Sequence, residues 1–341
     1  MRDLTVGDRL DQYQIVDLLS RSGMASVFRA VDSESGETVA LKVPHVQYES
    51  DVAFYERFRR EEEIGLCLDH PNVVRVLRPL GEKSRMYLVM EYVEGQSLRA
   101  LVRSQGRLPL EQALDVGRQL CEALSHLHRH GVVHRDLKPE NVHLLASSGA
   151  VKLLDFGIAL LDSARRLTWA GLSGTLGTPD YMAPEQVRGR RGDARTDVYA
   201  LGTILYELLT GRLPYEAPSA AALLHAKVHR APTPPSERSS GFPRSLEAVL
   251  LRAIARDPRD RYPSAEDLRA ALADPAAAQE RLPSPAPRAS ARWTTFRPWL
   301  LGGLVGSALA VGALWETSAR HAAAGSWRVA QSLPSRPAAS R

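Results

Sequence analysis

Over residues 13–43 apolar side chains recur at every second position in YQIVDLL, SVFRAVD and TVALKV, and Ser35 with Gly36 marks a turn, so this stretch predicts a three-strand meander. From about Asp51 to Leu68 the period becomes helical. Rotating 100° per residue from Phe54 places Phe58, Glu61, Gly65 and Leu68 at about +40°, −20°, +20° and −40°, which puts Glu61 on the buried face. Glu62 at about 80° and Glu63 at about 180° belong to the flank and the solvent side. MYLVMEYV, Met86–Val93, reads as a further strand. Leu110, Ala113, Leu114, Gly117, Leu120, Cys121, Leu124 and Leu127 then line one face of a long helix. The pattern stays helical to about Ala273, with Pro-rich APTPPSE, Ala231–Glu237, as a connecting loop. Residues 274–297 show no apolar period and read as an extended linker, after which residues 298–315 run for eighteen positions without a charge.

The chain has 341 residues, of which 44% are hydrophobic and 24% charged, enough for a core of roughly 260 residues with additions. Its net charge of +5 is local. Residues 274–341 hold eight arginines against Asp274, Glu280 and Glu316, so residues 1–273 balance at zero and no nucleic-acid partner is implied. Cys67 and Cys121 lack CxxC spacing and are expected to be buried, reduced core residues. MRDLTVGDRL has no apolar run of the kind a cleaved leader needs, so the first domain is expected to start in the cytoplasm.

Three motifs carry the chemistry: HRDLKPEN at His134–Asn141, DFG at Asp155–Gly157 and APE at Ala183–Glu185. Phosphoryl transfer asks a site to position a hydroxyl, hold metal and spread charge, with little covalent work. Asp136 suits acceptance of a substrate hydroxyl's hydrogen, Lys138 suits neutralisation of the moving phosphoryl group, and Asn141 with Asp155 offers hard oxygen ligands to magnesium. Together the motifs resemble those of the eukaryotic-like serine/threonine protein kinases of the bacterial membrane-anchored type, over about residues 12–273.

The resemblance implies an α+β, two-lobed protein kinase fold that uses ATP with Mg2+, or Mn2+ in its place. The small β-rich lobe covers about residues 12–93 after an N-terminal extension, 1–11, and the larger helical lobe covers about 97–273. It makes Lys42, in VALK, the phosphate-binding lysine with Glu61 as its partner. Val27 and Ala40 bracket the adenine, Met90 is the gatekeeper, and backbone groups of Glu91 and Val93 meet the adenine edge. HRDLKPEN goes with serine or threonine acceptors. Arg135 pairs with a phosphate on the activation loop, where Thr168, Ser173 and Thr175 are the candidate autophosphorylation sites, and Thr178 belongs to the substrate platform beside Asp136 and Lys138. Asp197 holds the catalytic-loop backbone and Arg261 pairs with Glu185. His143 has no His or Cys at metal-ligand spacing and reads as a strand or surface histidine.

The chain departs from the family in the glycine-rich loop, GxGxxGxV, whose bare backbone closes over the ATP phosphates. Here it reads SRSGMASV, with Ser20, Ser22 and Ala25 at the three signature positions and only the additional Gly23 left. New Cβ atoms at positive φ or at a close approach would each cost roughly 1–2 kcal/mol, and the hydroxyls of Ser20 and Ser22 are expected to recover part by bonding phosphate oxygens. Weaker or slower ATP use is therefore the expectation, with a pseudokinase or membrane-tethered nucleotide-binding scaffold as the alternative.

The uncharged run PWLLGGLVGSALAVGALW is at the lower limit for a single transmembrane helix. Trp293 and Trp299 on one side and Trp315 on the other fit interfacial anchors, and four arginines within twenty residues before the run, against two after it, put the kinase domain on the cytoplasmic side of the inner membrane. Gly302 and Gly306 form a GxxxG pair through which two copies would dimerise. Residues 316–341 form an extracytoplasmic tail too short for a sensor domain. The partners expected are protein substrates with Ser/Thr acceptors, the membrane and a second copy.

Overall fold

Alternation along the first part of the chain becomes an antiparallel sheet of β1 (Arg9–Leu10), β2 (Tyr13–Arg21), β3 (Ala25–Asp32) and β4 (Thr38–Pro44), followed, after α1 (Val52–Gly65), by β5 (Val76–Leu77) and β6 (Leu88–Glu91). The strand order is β1-β2-β3-β4-β6-β5. This is a computed structural model, which describes residues 2–79, 81–155 and 179–280. The expected phosphorylation sites Thr168, Ser173 and Thr175, the platform residue Thr178, and everything expected of residues 281–341, including the span at 298–315, lie outside the described residues. Among the described residues, no helix is long and apolar enough to cross a membrane.

The sheet separates two faces because neighbouring residues of a strand point to opposite sides. Val39, Leu41 and Val43 of β4 pack with Ile15, Phe28 and Val89 in one cluster. Ala40 joins Phe54 and Phe58 of α1 in the main core instead. Lys42, two residues on, shares the α1 side with Ala40, so the pleat aims a lysine at a helix. Asp51 caps α1 by accepting from the N–H groups of Ala53 and Phe54. The helix stops at Gly65 rather than Leu68, and Cys67 is exposed, contrary to the expectation of burial. Its phase, about 140° away from Phe54, already pointed it outward. The strand expected over Met86–Val93 is shorter, Leu88–Glu91.

A second sheet joins β7 (Gly95–Ser97), β8 (Val142–Leu145) and β9 (Val151–Leu153) in that order. The helical part comprises α2 (Leu98–Gln105), α3 (Leu110–Arg129), α4 (Pro184–Val187), α5 (Ala194–Thr210), α6 (Ala220–His229), α7 (Pro235–Arg238), α8 (Arg244–Ala253), α9 (Ala265–Ala273) and α10 (Pro275–Glu280). α3 buries Ala113, Gly117, Leu120, Cys121, Leu124 and Leu127 as its period predicted, whereas Leu110, at the first position of the helix, is exposed. APTPPSE is a loop for only part of its length, since Pro235 opens the one-turn α7.

α5 is apolar on almost every side and correspondingly buried from Thr196 to Leu209, which makes it the central post of the helical lobe. Gly202 lets α8 approach it: a Cβ there would lie 2.7 Å from the Ala253 Cβ and 3.0 Å from the Ile254 Cγ2. Gly202→Ala is therefore expected to destabilise the domain by about 1–3 kcal/mol through overpacking, read as a lower urea midpoint with unchanged slope.

Candidate active site

The loop carrying HRDLKPEN leaves α3 and ends in a turn at Pro139–Asn141 before β8. Asp197 of α5 holds its entry. The Asp197 carboxylate accepts from the backbone N–H groups of His134 and Arg135, both at 2.8 Å, and from His128 Nε2 at 2.8 Å. Arg135 has a φ of 62°, a left-handed conformation that costs a side-chain-bearing residue roughly 1–2 kcal/mol. Asp197 on its N–H and Gln186 Nε2 on its carbonyl, 2.8 Å, hold it there. Its guanidinium donates to the carbonyls of Arg191, 3.0 Å, and Gly192, 3.4 Å. Burial, and then Arg191, pull the Arg135 pKa down.

Past that bend, Lys138 Nζ lies 2.5 Å from Asp136 Oδ2. Among the described residues nothing bonds Asp136 Oδ1, which leaves that oxygen for an incoming hydroxyl. Asn141 Nδ2 donates to the Asp136 carbonyl at 3.0 Å, which leaves its Oδ1 for another partner. The Leu154 N–H donates to the Asn141 carbonyl at 2.9 Å, so the chain is fastened to Asn141 immediately before Asp155. Asn141 and Asp155 thus sit on segments joined by that bond, and an amide and a carboxylate oxygen are hard donors of the kind a divalent cation takes.

Lys42 links the two parts of the domain, with Nζ 2.6 Å from Glu61 Oε1 and 3.1 Å from Asp155 Oδ1. Of the three consecutive glutamates, Glu61 is the buried one, while Glu62 pairs with Lys83 and Glu63 is exposed. Burial alone would lower the Lys42 pKa, but Asp155 and Glu61 outweigh it and hold the ammonium above the usual lysine range.

Val27 faces Lys42 across β3–β4, and Ala40 faces Met90 across β4–β6. The pleat puts these four on one face of the sheet, three apolar side chains beside one cation, residue types that suit a nucleotide base and its phosphates. The Glu91 carboxylate points away from that face, accepting from Lys152 at 2.5 Å and from the Arg75 N–H at 2.9 Å. Glu91 can thus serve a nucleotide only through backbone groups.

The hairpin between β2 and β3 differs from expectation. Among the described residues, only Asp11 and Arg135 combine a side chain with positive φ, so Ser20, Ser22 and Ala25 carry no such strain. Nor does the Ser22 hydroxyl await a phosphate. It donates to the Ala25 carbonyl at 2.9 Å and accepts from the N–H groups of Met24 and Ala25, building the turn from its own side chain. Ser20 stands in β2 opposite Val27.

Several participants carry no motif. Arg99 of α2 spans Glu140, 2.8 Å, and Glu207 of α5, 2.8 Å, and also bonds the Tyr181 hydroxyl, 2.5 Å, which itself donates to Glu207. His128 and Gln186 hold the loop backbone. The one sequence signal available for any of these was a basic residue, Arg99, between Leu98 and Leu101, both buried. His143 lies in β8 with a half-buried ring, and burial pulls its pKa down.

Lys42 with Glu61 and Asp155, and Asp136 with Lys138 on the loop that Asp197 fastens, make up the candidate site. The protein kinase domain family matches residues 13–272. The chain belongs to the protein kinase family and, within it, to the eukaryotic-like serine/threonine kinases of bacteria. It is 40% identical over 269 residues to the serine/threonine-protein kinase PknB of Mycobacterium leprae, covering 77% of this chain and 42% of PknB. It is likewise 40% identical over 270 residues to PrkC of Bacillus subtilis, covering 78% and 41%. The chain thus spans less than half the length of these relatives. Among solved structures, the PknI kinase domain of Mycobacterium tuberculosis superposes with a TM-score of 0.61 at 28% identity, covering 80% of this chain and 100% of that one.

Proposed function

We propose that this chain transfers the γ-phosphoryl group of ATP, as its magnesium complex, to serine or threonine hydroxyls of proteins at the cytoplasmic face of a membrane. The observation that carries the reading is the joint placement of Lys42, Glu61, Asp136, Lys138, Asn141 and Asp155 on one family-typical frame. When bound, magnesium would neutralise charge on the phosphates and orient them. In this reading Asn141 and Asp155 hold the metal. Lys42, steadied by Glu61, holds the phosphates. Asp136 Oδ1 takes the hydrogen of the acceptor hydroxyl, and Lys138 spreads the charge that develops beside it. The base lies between Val27 and Ala40, with Met90 behind and the Glu91 and Val93 backbone at its edge. The test is labelling of purified residues 1–290 with magnesium and labelled ATP: phosphoserine or phosphothreonine supports the reading, and no label across a wide ATP range with casein added would sink it.

Lys42→Met removes both of the lysine's charged contacts and leaves Glu61 buried without a cation. It is expected to weaken ATP binding by about tenfold or more in a calorimetric titration. The altered glycine-rich loop is compatible with ATP use because its backbone is unstrained at all three substituted positions. Restoring glycine at Ser20, Ser22 and Ala25 together is therefore expected to change the KM for ATP by less than about threefold, since there is no positive-φ strain to relieve.

The remaining assignments rest on sequence pattern. The uncharged stretch at 298–315, its flanking tryptophans and the preceding arginines support a single membrane span with the kinase domain inside. Gly302 and Gly306 support pairing of two spans. Thr168, Ser173 and Thr175 remain the autophosphorylation candidates, with Arg135 as the partner for their phosphate.

A further inference from the structure

Lys227 lies in α6 with none of its surface exposed. Its ammonium donates to two backbone carbonyls, Asp180 at 2.5 Å and Met182 at 3.0 Å, and lies 3.5 Å from the Tyr199 hydroxyl. The rings of Tyr199 and Tyr215 flank it at 5.1 and 5.7 Å. No described carboxylate oxygen is within ion-pair distance of it. Burying an ammonium without a carboxylate is unfavourable unless several neutral acceptors satisfy it. The neighbouring buried positions of α6, Leu223, Leu224 and Ala226, are apolar, so the lysine is an exception on its own face.

What the ammonium grips is the short segment Pro179–Met182. This segment runs alongside the catalytic loop. The Tyr181 hydroxyl meets Arg99, which bonds Glu140 of HRDLKPEN, and Gln186, a few residues on, bonds the Arg135 carbonyl. We infer that Lys227 is a positioning residue for acceptor binding: its ammonium clamps the carbonyls of Asp180 and Met182 and so fixes the segment against which the protein acceptor lies, without acting on the nucleotide. The inference rests on the kinase reading above.

The clamp is strongest while protonated, since the neutral amine keeps two N–H donors but loses the charge that strengthens both bonds. Burial pulls the Lys227 pKa down to about 7, with Asp180 opposing, so the charge is present in mildly acidic solution and lost as the pH rises through that value. The groups facing it do not mimic this. Asp180 is raised by burial, and Tyr181, Tyr199 and Tyr215 are raised further above their ordinary alkaline range by burial. Glu185 of α4 is taken by Arg261, and Glu207 by Arg99. His225 and His229 are on the exposed side of α6 and are retained in every variant.

The experiment uses the full chain as wild type, Lys227→Met and Lys227→Arg, with casein as acceptor and with ATP alone, from about pH 6 to about pH 8.5. Lys227→Met is expected to raise the KM for casein about tenfold, with the KM for ATP and acceptor-free ATP hydrolysis unchanged. In the wild type the casein KM is expected to rise across the pH range by a smaller factor than in Lys227→Met, and in Lys227→Arg, whose guanidinium keeps its charge, to stay flat. An unchanged casein KM in Lys227→Met overturns the inference. Should Lys227→Met not fold, the other two decide: a pH step in the wild type that Lys227→Arg lacks supports the clamp, and identical profiles overturn it. A wild type that hydrolyses ATP but labels no acceptor brings down the kinase reading itself, whereas equal labelling with equal casein KM in all three removes only the role of Lys227.

Discussion

Asp136→Asn is expected to lower kcat for casein phosphorylation by about 10²- to 10⁴-fold while leaving the KM for ATP within about twofold. The amide keeps the size of the carboxylate and the contact to Lys138 at Oδ2, 2.5 Å away, so the loop should stay in shape. What it loses is a basic oxygen at Oδ1, where the acceptor's hydrogen is proposed to go. Nucleotide contacts are proposed for Lys42, Asn141 and Asp155 instead, so the two parameters should separate. Steady-state kinetics at varied ATP and varied casein measure this directly. A fall in ATP affinity matching the fall in kcat would show that Asp136 supports the nucleotide site and does not act on the acceptor.

The largest stability effect is expected at Arg261. Its guanidinium is fully buried and meets both oxygens of Glu185, each at 2.7 Å, while Nε donates to the Ala255 carbonyl at 2.7 Å and Nη1 to that of Arg195 at 2.9 Å. It also lies over the Tyr199 ring at 4.8 Å. Thr196 Oγ1 donates to the same carboxylate at 2.9 Å, which fastens the start of α5 to the knot. Arg261→Ala would leave the Glu185 carboxylate buried with Thr196 as its remaining side-chain partner and strip several carbonyls of their donors. Removing one partner of such a pair costs about 3–5 kcal/mol. Urea unfolding should show that loss in the midpoint. Because the penalty arises from a stranded charge, Glu185→Met with Arg261→Met should cost less than the sum of the single changes, and strict additivity in that cycle would argue against the pairing as the cause.

Local periodicity carried a large part of this protein. Helical phase alone separated Glu61 from Glu62 and Glu63, because a helix repeats its faces by a fixed rotation and Phe54 and Phe58 identify the buried one. Strand alternation aimed Lys42 at that helix. The same phase that found Glu61 turned Cys67 outward, about 140° from Phe54, against the burial expected of it. Composition did not mark the end, because Leu66, Cys67 and Leu68 include no helix-breaking residue.

The glycine-rich loop departs from expectation for a different reason. Serine and alanine in place of glycine imply backbone strain only if the glycine's conformation is kept, and here the hairpin adopts ordinary dihedrals with the Ser22 hydroxyl bonded into its own turn. A sequence shows the substitution and hides the dihedral.

The sequence by itself determined the order of strands and helices and the residue types available for phosphoryl transfer, because both are written in short-range spacing. Only the tertiary structure decided the contact of Lys42 with Asp155, the left-handed bend at Arg135, the bridge from Arg99 to Glu207 across 108 residues of chain, and the grip of Lys227 on Asp180 across 47. These partners meet because burial of α5 and the pleat of the first sheet bring distant segments together, and burial leaves each polar group no alternative but to find another.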